Sequence, residues 1–115
     1  METIKNNREF RAIYQNGVSL ADRNLVLHYM PRKQEAGRFG ITVSSKVGNA
    51  VIRNKLKRQI REILRVNRDT ISPSYDIIFV VRVRCREADF AQIKKSVRYL
   101  LKKSGLLTDD APEFH

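Results

Sequence analysis

Apolar positions along the chain recur with two periods, one near 3.6 and one near 2, and each change of period marks a new element. Between Asn6 and Asn16, Phe10, Ile13 and Tyr14 share one face of a short helix. Asn6 and Glu9 stand at capping-box spacing, and Gly17 occupies the place where a left-handed residue would end the helix. A helix this short does not persist alone, so it must dock through its apolar face. From Arg23 to Met30 the pattern alternates, with Leu25, Leu27 and Tyr29 on one side and Val26, His28 and Met30 on the other. Arg38 to Ser44 alternates as well, grouping Phe39, Ile41 and Val43. The polar stretch Pro31 to Gly37 between them reads as a hairpin loop, which makes the two segments an antiparallel pair.

At Asn49 the helical period returns. Ile52, Leu56, Ile60, Ile63 and Leu64 predict an amphipathic helix, roughly 28 Å long, to about Arg68. Ser72 and Pro73 break it, and Ile77 to Val81 forms a nearly continuous apolar run, the mark of a strand covered on both faces. Phe90, Ile93, Val97, Leu100 and Leu101 then predict a last helix ending near Ser104 and Gly105. Residues 1–107 read as a single domain. Residues 108–115, with Asp109, Asp110 and Glu113, have no periodicity and read as a flexible acidic tail. The order helix, two strands, helix, strand, helix predicts an α/β sandwich of the α+β kind, with helices packed on a small mixed sheet.

Composition narrows the class. At 115 residues with 42% hydrophobic content, the chain has material for one core and none to spare for a second domain. It lacks an apolar run of the roughly 20 residues needed to cross a bilayer, and Met1 to Arg11 is polar where a signal peptide needs an apolar stretch. A soluble, cytoplasmic protein with no membrane partner is expected. The single Cys85 excludes an internal disulfide, and with only His28 and His115 a Cys/His metal cluster is not expected.

Charge changes the picture most. Twenty-three Lys and Arg against 12 Asp and Glu leave a net +11, which points to a polyanionic partner. Between Lys46 and Arg68, eight cations (Lys46, Arg53, Lys55, Lys57, Arg58, Arg61, Arg65 and Arg68) face only Glu62, so seven of the eleven excess charges lie there. At about 100° per residue, Lys57, Arg58, Arg61, Arg65 and Arg68 join Asn54 in one arc beside the apolar one. A solvated helix face normally mixes signs for i,i+4 pairing, and this one has almost no acid, which favours nucleic-acid contact. Guanidinium forks suit phosphate, and side chains read an RNA helix by shape and backbone rather than through its deep groove. A second, weaker basic face on the last helix, Lys94, Lys95, Arg98, Lys102 and Lys103, reads as a plain solvated one.

Phe10 and Tyr14 lie one helical turn apart and are flanked by Arg8 and Arg11. Two readings are open: core residues of a docked helix, or rings on which single-stranded bases stack while the cations pair with phosphates.

The run from Arg38 through Lys46, Gly48, Arg53, Asn54, Lys55, Lys57, Arg58 and Arg61 to Glu62 closely resembles the signature of the protein subunit of bacterial ribonuclease P, and Arg53 to Arg61 matches its basic helix motif. The resemblance extends to Phe10, Tyr14 and Gly17, to Asp76 and to the final helix. It implies an αβββαβα order, with a left-handed βαβ crossover and a ribosomal protein S5 domain 2-like fold, although βαβ units are otherwise right-handed in about 98% of cases. It implies a ribonucleoprotein endonuclease that removes the 5′ leader of precursor tRNA, with catalysis in the RNA subunit and Mg²⁺ held mainly by that RNA. For the chain it implies no catalytic residue and no obligatory protein partner. It assigns Arg38, Lys46, Arg53, Asn54, Lys55, Lys57, Arg58, Arg61 and Arg65 to the RNA subunit, and Phe10, Arg11, Tyr14 and His28 to the leader. Two positions depart from the pattern. Lys55 stands where Arg is usual, keeping the charge without the fork, and His28 stands where the leader-binding cleft usually has an aromatic residue.

Two other classes share part of this pattern. A ribosomal-type RNA-binding protein would have the same basic helix without a catalytic RNA. A protein-only nuclease would need clustered acidic metal ligands, whereas the twelve acids here are scattered.

Overall fold

The computed structural model describes residues 2–32, 36–108 and 114–115. Its elements are β1 (Glu2–Thr3), α1 (Asn7–Asn16), β2 (Val18–Ala21), β3 (Leu25–Pro31), β4 (Arg38–Val43), α2 (Ala50–Val66), β5 (Tyr75–Val81) and α3 (Phe90–Lys103). Short 3-10 turns cover Arg68–Thr70 and Val83–Glu87. From α1 onward this is the αβββαβα order, an α/β fold on a mixed sheet. The strands lie in the order β1-β4-β5-β3-β2.

The expected hairpin between the segments now called β3 and β4 does not form. They run in opposite directions, but β5 lies between them, antiparallel to β3 and parallel to β4. The reason is the apolar run itself. Ile77, Ile78 and Phe79 are fully buried, and a strand so apolar needs both edges paired and both faces covered, which only the sheet centre provides. The β4-α2-β5 segment is therefore a parallel βαβ unit. Two strands left no clear period in the sequence. β2 is a four-residue edge strand paired with β3, and β1 adds two residues beside β4.

Strand alternation divides the core. Leu25 and Leu27 of β3, Phe39 and Val43 of β4, and Ile77, Phe79 and Val81 of β5 pack against Leu56, Ile60, Ile63 and Leu64 of α2 and Ile93, Val97, Leu100 and Leu101 of α3. Among the described residues the opposite face carries only α1, whose Ile13 meets Ile78 together with Ile4, Phe10, Met30 and Val80.

The ends of the helices follow their residues. The Asn6 side chain accepts the Glu9 amide at 2.9 Å, and its own amide donates to the Glu9 carboxylate at 2.7 Å, so the cap is one-sided rather than a reciprocal box. Gly17 is not left-handed as expected, for its backbone is extended at φ −85. A Cβ there would stand 2.6 Å from the carbonyl oxygens of both Ile13 and Tyr29, so close approach, not φ, requires glycine. The left-handed residue is Gly105 (φ +79), which lets the Leu106 amide reach the Leu101 carbonyl at 2.9 Å and close α3.

The tail departs from a freely frayed segment at both of its described ends. Thr108 donates its amide to Thr70 at 2.8 Å, Phe114 packs against the main core, and the His115 backbone exchanges two hydrogen bonds with the buried Asn67 side chain, at 2.6 and 2.7 Å. Local periodicity cannot register such docking. Asp109, Asp110 and Glu113 lie outside the described residues.

Candidate nucleic-acid interface

Two surfaces on opposite faces of the sheet hold the residues singled out by the sequence. The first is the outer side of α2. Asn49 caps this helix by accepting the Ile52 amide at 3.0 Å, and burial of Leu56, Ile60, Ile63 and Leu64 turns the basic arc outward. Asn54, Arg58, Arg61 and Arg65 are exposed and Lys57 is half-buried. Lys57, Arg58 and Arg61 make no ion pair among the described residues. Arg53 is half-buried and donates Nε–H to the Gly48 carbonyl at 3.2 Å, which ties the start of the stripe to the preceding loop. Exposed Lys46 belongs to that same loop. Arg65 pairs with Glu62 through two bonds of 2.9 and 2.6 Å; this raises the Arg65 pKa and lowers that of Glu62. Both partners are exposed, so the pair opens readily for a stronger anion. Lys55 falls outside the arc, about 60° beyond Arg58 around the helix.

Arg38 is the exception. On β4 its guanidinium donates to both carboxylate oxygens of Asp76, Nε at 3.2 Å and Nη2 at 2.8 Å, and it also contacts the Glu9 carboxylate of α1. The Asp76 hydrogen bond raises the Arg38 pKa, ahead of the opposing effect of burial. With only 16% of its side chain exposed, Arg38 ties α1, β4 and β5 together and presents little charge to a partner. Its part in the fold is structural, beside its expected place on the RNA-binding surface.

The second surface is the cleft between α1 and the open face of the sheet. The Tyr14 ring meets His28 of β3 edge-on, with centroids 4.8 Å apart, and Phe10 lies 6.2 Å from Tyr14. The hydroxyls of Tyr14 and Thr42 share a hydrogen bond of 3.0 Å. Tyr14 is 39% exposed and Phe10 half-buried, so α1 docks through Ile13 and part of Phe10 while leaving ring surface accessible. Burial lowers the His28 pKa, which keeps the imidazole neutral at pH 7. Exposed Arg11 lies one residue beyond Phe10 on α1. Beyond Tyr14 the floor continues as the cross-strand row Val26, Val80 and Thr42. Sequence reasoning missed Gly40 and Thr42, although alternation of β4 places both opposite Phe39, Ile41 and Val43. Cys85 is buried, and its pKa is pushed up to about 11 mainly by burial, so it is an inert thiol. Among the described residues no group of three or more His, Cys, Asp or Glu side chains converges to hold a metal, and no helix is long and apolar enough to cross a membrane.

A small basic α/β protein with a cation-rich crossover helix and an aromatic cleft is a class with known members. The family model for ribonuclease P matches residues 1–105. The ribonuclease P protein component of Caldanaerobacter subterraneus is 40% identical over 103 residues, covering 90% of this chain and 89% of that one. That of Clostridioides difficile is 40% identical over 104 residues, covering 90% and 91%. Among solved structures, the Staphylococcus aureus RNase P protein superposes with a TM-score of 0.88 at 38% identity, covering 94% of this chain and 99% of that one. The Thermotoga maritima RNase P protein gives 0.82 at 33%, covering 90% and 97%. The chain belongs to the ribonuclease P protein family. Membership makes it the protein part of an endoribonuclease ribonucleoprotein that matures the 5′ end of tRNA together with an RNA subunit.

Proposed function

We propose that the chain joins two RNAs: the ribonuclease P RNA on α2, through Lys46, Arg53, Asn54, Lys55, Lys57, Arg58, Arg61 and Arg65, and the single-stranded leader of precursor tRNA in the cleft of Phe10, Arg11, Tyr14 and His28. The observation that carries this reading is the placement of a nearly acid-free basic helix and a partly open aromatic cleft on opposite faces of one sheet. Cations on α2 neutralise phosphates and release counterions, giving affinity without sequence readout. Rings in the cleft stack on bases of any identity, which suits one enzyme facing many leaders. Because the leader is present in substrate and absent from product, contacts to it favour binding of precursor over mature tRNA.

The chain's own part is binding and orientation. Mg²⁺ supplies charge neutralisation and activation of water where the RNA holds it, and the clustered cations of α2 offset phosphate repulsion that added Mg²⁺ would otherwise screen. The site of action is the cytoplasm, where precursor tRNA is made in bacteria.

The test is reconstitution. Added to a bacterial ribonuclease P RNA at low Mg²⁺, the protein should restore precursor-tRNA cleavage, and RNA-free protein should cleave nothing. Cleavage by the protein alone, or no effect on the RNA, would overturn the proposal. Recovery of ribosomal RNA rather than one catalytic RNA in a pull-down would instead favour the ribosomal-type reading.

A further inference from the structure

A second concavity opens at the same end of the sheet as the cleft, on the helix-covered side. It is a cavity of about 650 Å³ between the β2–β3 turn, the Val83–Glu87 turn and α3. Buried Asn24 and Ser96 line its wall, joined by a 3.0 Å hydrogen bond from the Asn24 amide to the serine hydroxyl. Exposed Arg23, Arg84, Lys95 and Tyr99 surround them. The lining holds three cations against two acids, Asp22 and Glu87, and so keeps a small positive excess. The Asp22 carboxylate accepts the backbone amides of Asn24 and Leu25, each at 2.9 Å, and so is held back in the turn it closes. Arg23, Arg84 and Lys95 make no ion pair among the described residues.

Tyr99 decides the chemistry. It is 47% exposed and stands one helical turn from Lys95 and one from Lys103, whose Nζ lies 5.6 Å from the ring centroid. Lysines alone on α3 would read as a solvated face. A half-exposed aromatic between them, its hydroxyl accepting from Lys103 Nζ at 3.2 Å, matches at the rim of this cavity what a single strand needs: a ring for the base and cations for the flanking phosphates.

The register connects this cavity to the cleft. Val26, Val80 and Thr42 form the last cleft-facing row before the sheet ends. Arg82, two residues beyond Val80 in extended backbone, continues that face and donates Nη1–H to the Asp22 carbonyl at 2.9 Å. From Tyr14 the surface thus runs over Val80, past Arg82 and Arg23, to Arg84, Lys95 and Tyr99.

We propose that this cavity binds the part of a long single-stranded leader that extends beyond the cleft, with a base on Tyr99 and phosphates on Arg23, Arg84 and Lys95. The proposal rests on the leader-cleft reading above and extends it to a second station for the same strand.

The experiment uses the reconstituted holoenzyme with precursors carrying very short, intermediate and long leaders. Tyr99→Ala and Arg84→Ala should each weaken binding of the long-leader precursor about five- to tenfold and leave the other two unchanged, while Tyr99→Phe keeps the ring and the affinity. Tyr14→Ala should weaken binding of both the intermediate and the long leader. Unchanged affinity of the Tyr99 and Arg84 variants for the long leader overturns the second station while the Tyr14 result still upholds the cleft. An equal loss on all three precursors assigns the cavity to the RNA subunit or the tRNA body and also overturns it. Photo-crosslinks from 4-thiouridine placed at the far end of the leader judge the station independently of the cleft. Adducts on Arg84 to Lys103 support it, and their absence there overturns it.

Discussion

The Phe10 ring of α1 sits directly on Gly40 of β4, where an added Cβ would stand 2.6 Å from Cζ and 2.7 Å from Cε1. Glycine here is a seat for the ring, and the seat sets how far α1 stands from the sheet. Gly40→Ala should cost about 1 to 3 kcal/mol by overpacking and should weaken holoenzyme binding of precursors with a leader more than those without. Phe10→Leu in the same chain should restore part of the stability and none of the leader selectivity. Thermal melts of the single and double variants check the first expectation, and precursor binding checks the second.

Much of this architecture was legible from spacing alone. The apolar arcs of α2 and α3 match the buried residues because helical periodicity is local and a helix buries one continuous stripe. Strand pairing was less legible. Alternation gives the faces of β3 and β4 but not their neighbours, and it was the burial demand of Ile77 to Val81 that inserted β5 between them. β2 was too short and too exposed to show a period. In the site, charge density marked α2, whereas Arg38 looked like one more cation. Only its partner 38 positions away, Asp76, reveals that it holds the fold. Thr42 carried no signal of its own, since its role depends on the Tyr14 hydroxyl meeting it across 28 residues.

Arg38 and Asp76 therefore make a prediction that separates folding from binding. Asp76 is 2% exposed, and replacing it with alanine leaves a largely buried guanidinium without its main partner. Asp76→Ala should lose about 3 kcal/mol or more of stability in urea unfolding. Arg38→Met should destabilise as well, yet reduce RNA-subunit affinity far less than Arg58→Ala does. Equal losses of affinity for the two arginines would return Arg38 to the interface.

The α2 stripe predicts the opposite pattern. Each of Arg58→Ala and Arg61→Ala should cost roughly 1 to 3 kcal/mol of RNA-subunit binding with melting temperature nearly unchanged, because both side chains are exposed. If about five to seven phosphates are neutralised, log K should fall with log salt at a slope of order −4 to −6, and the Lys57/Arg58/Arg61 triple alanine variant should flatten that slope by about 2 to 3. Leu56→Ala, one turn inside the same helix, should instead lose about 2 to 5 kcal/mol of stability through a core cavity.

His28 gives the cleft a pH dependence whose sign follows from its surroundings. It faces Tyr14 from α1 and pairs across the sheet with Ser19 of β2 and Ile78 of β5, and loss of solvent at this position lowers its pKa below the ordinary 6.5. A base with a depressed folded pKa holds fewer protons when folded than when unfolded. Its contribution to stability is therefore complete above about pH 6.5 and is lost as pH falls from there through the folded value, below which the loss stops growing. Urea unfolding between pH 7.5 and 5 should show the wild type losing stability relative to His28→Phe, which has no proton to gain. An NMR titration of the His28 ring should place its midpoint below 6.5. On the proposed reading, the neutral ring stacks on the leader around neutral pH. As pH falls through the folded value, protonated His28 adds a cation to the cleft, and leader affinity should become more salt-dependent in the wild type but not in His28→Phe. Parallel pH profiles for the two proteins would show that His28 neither loses its proton on burial nor meets the leader.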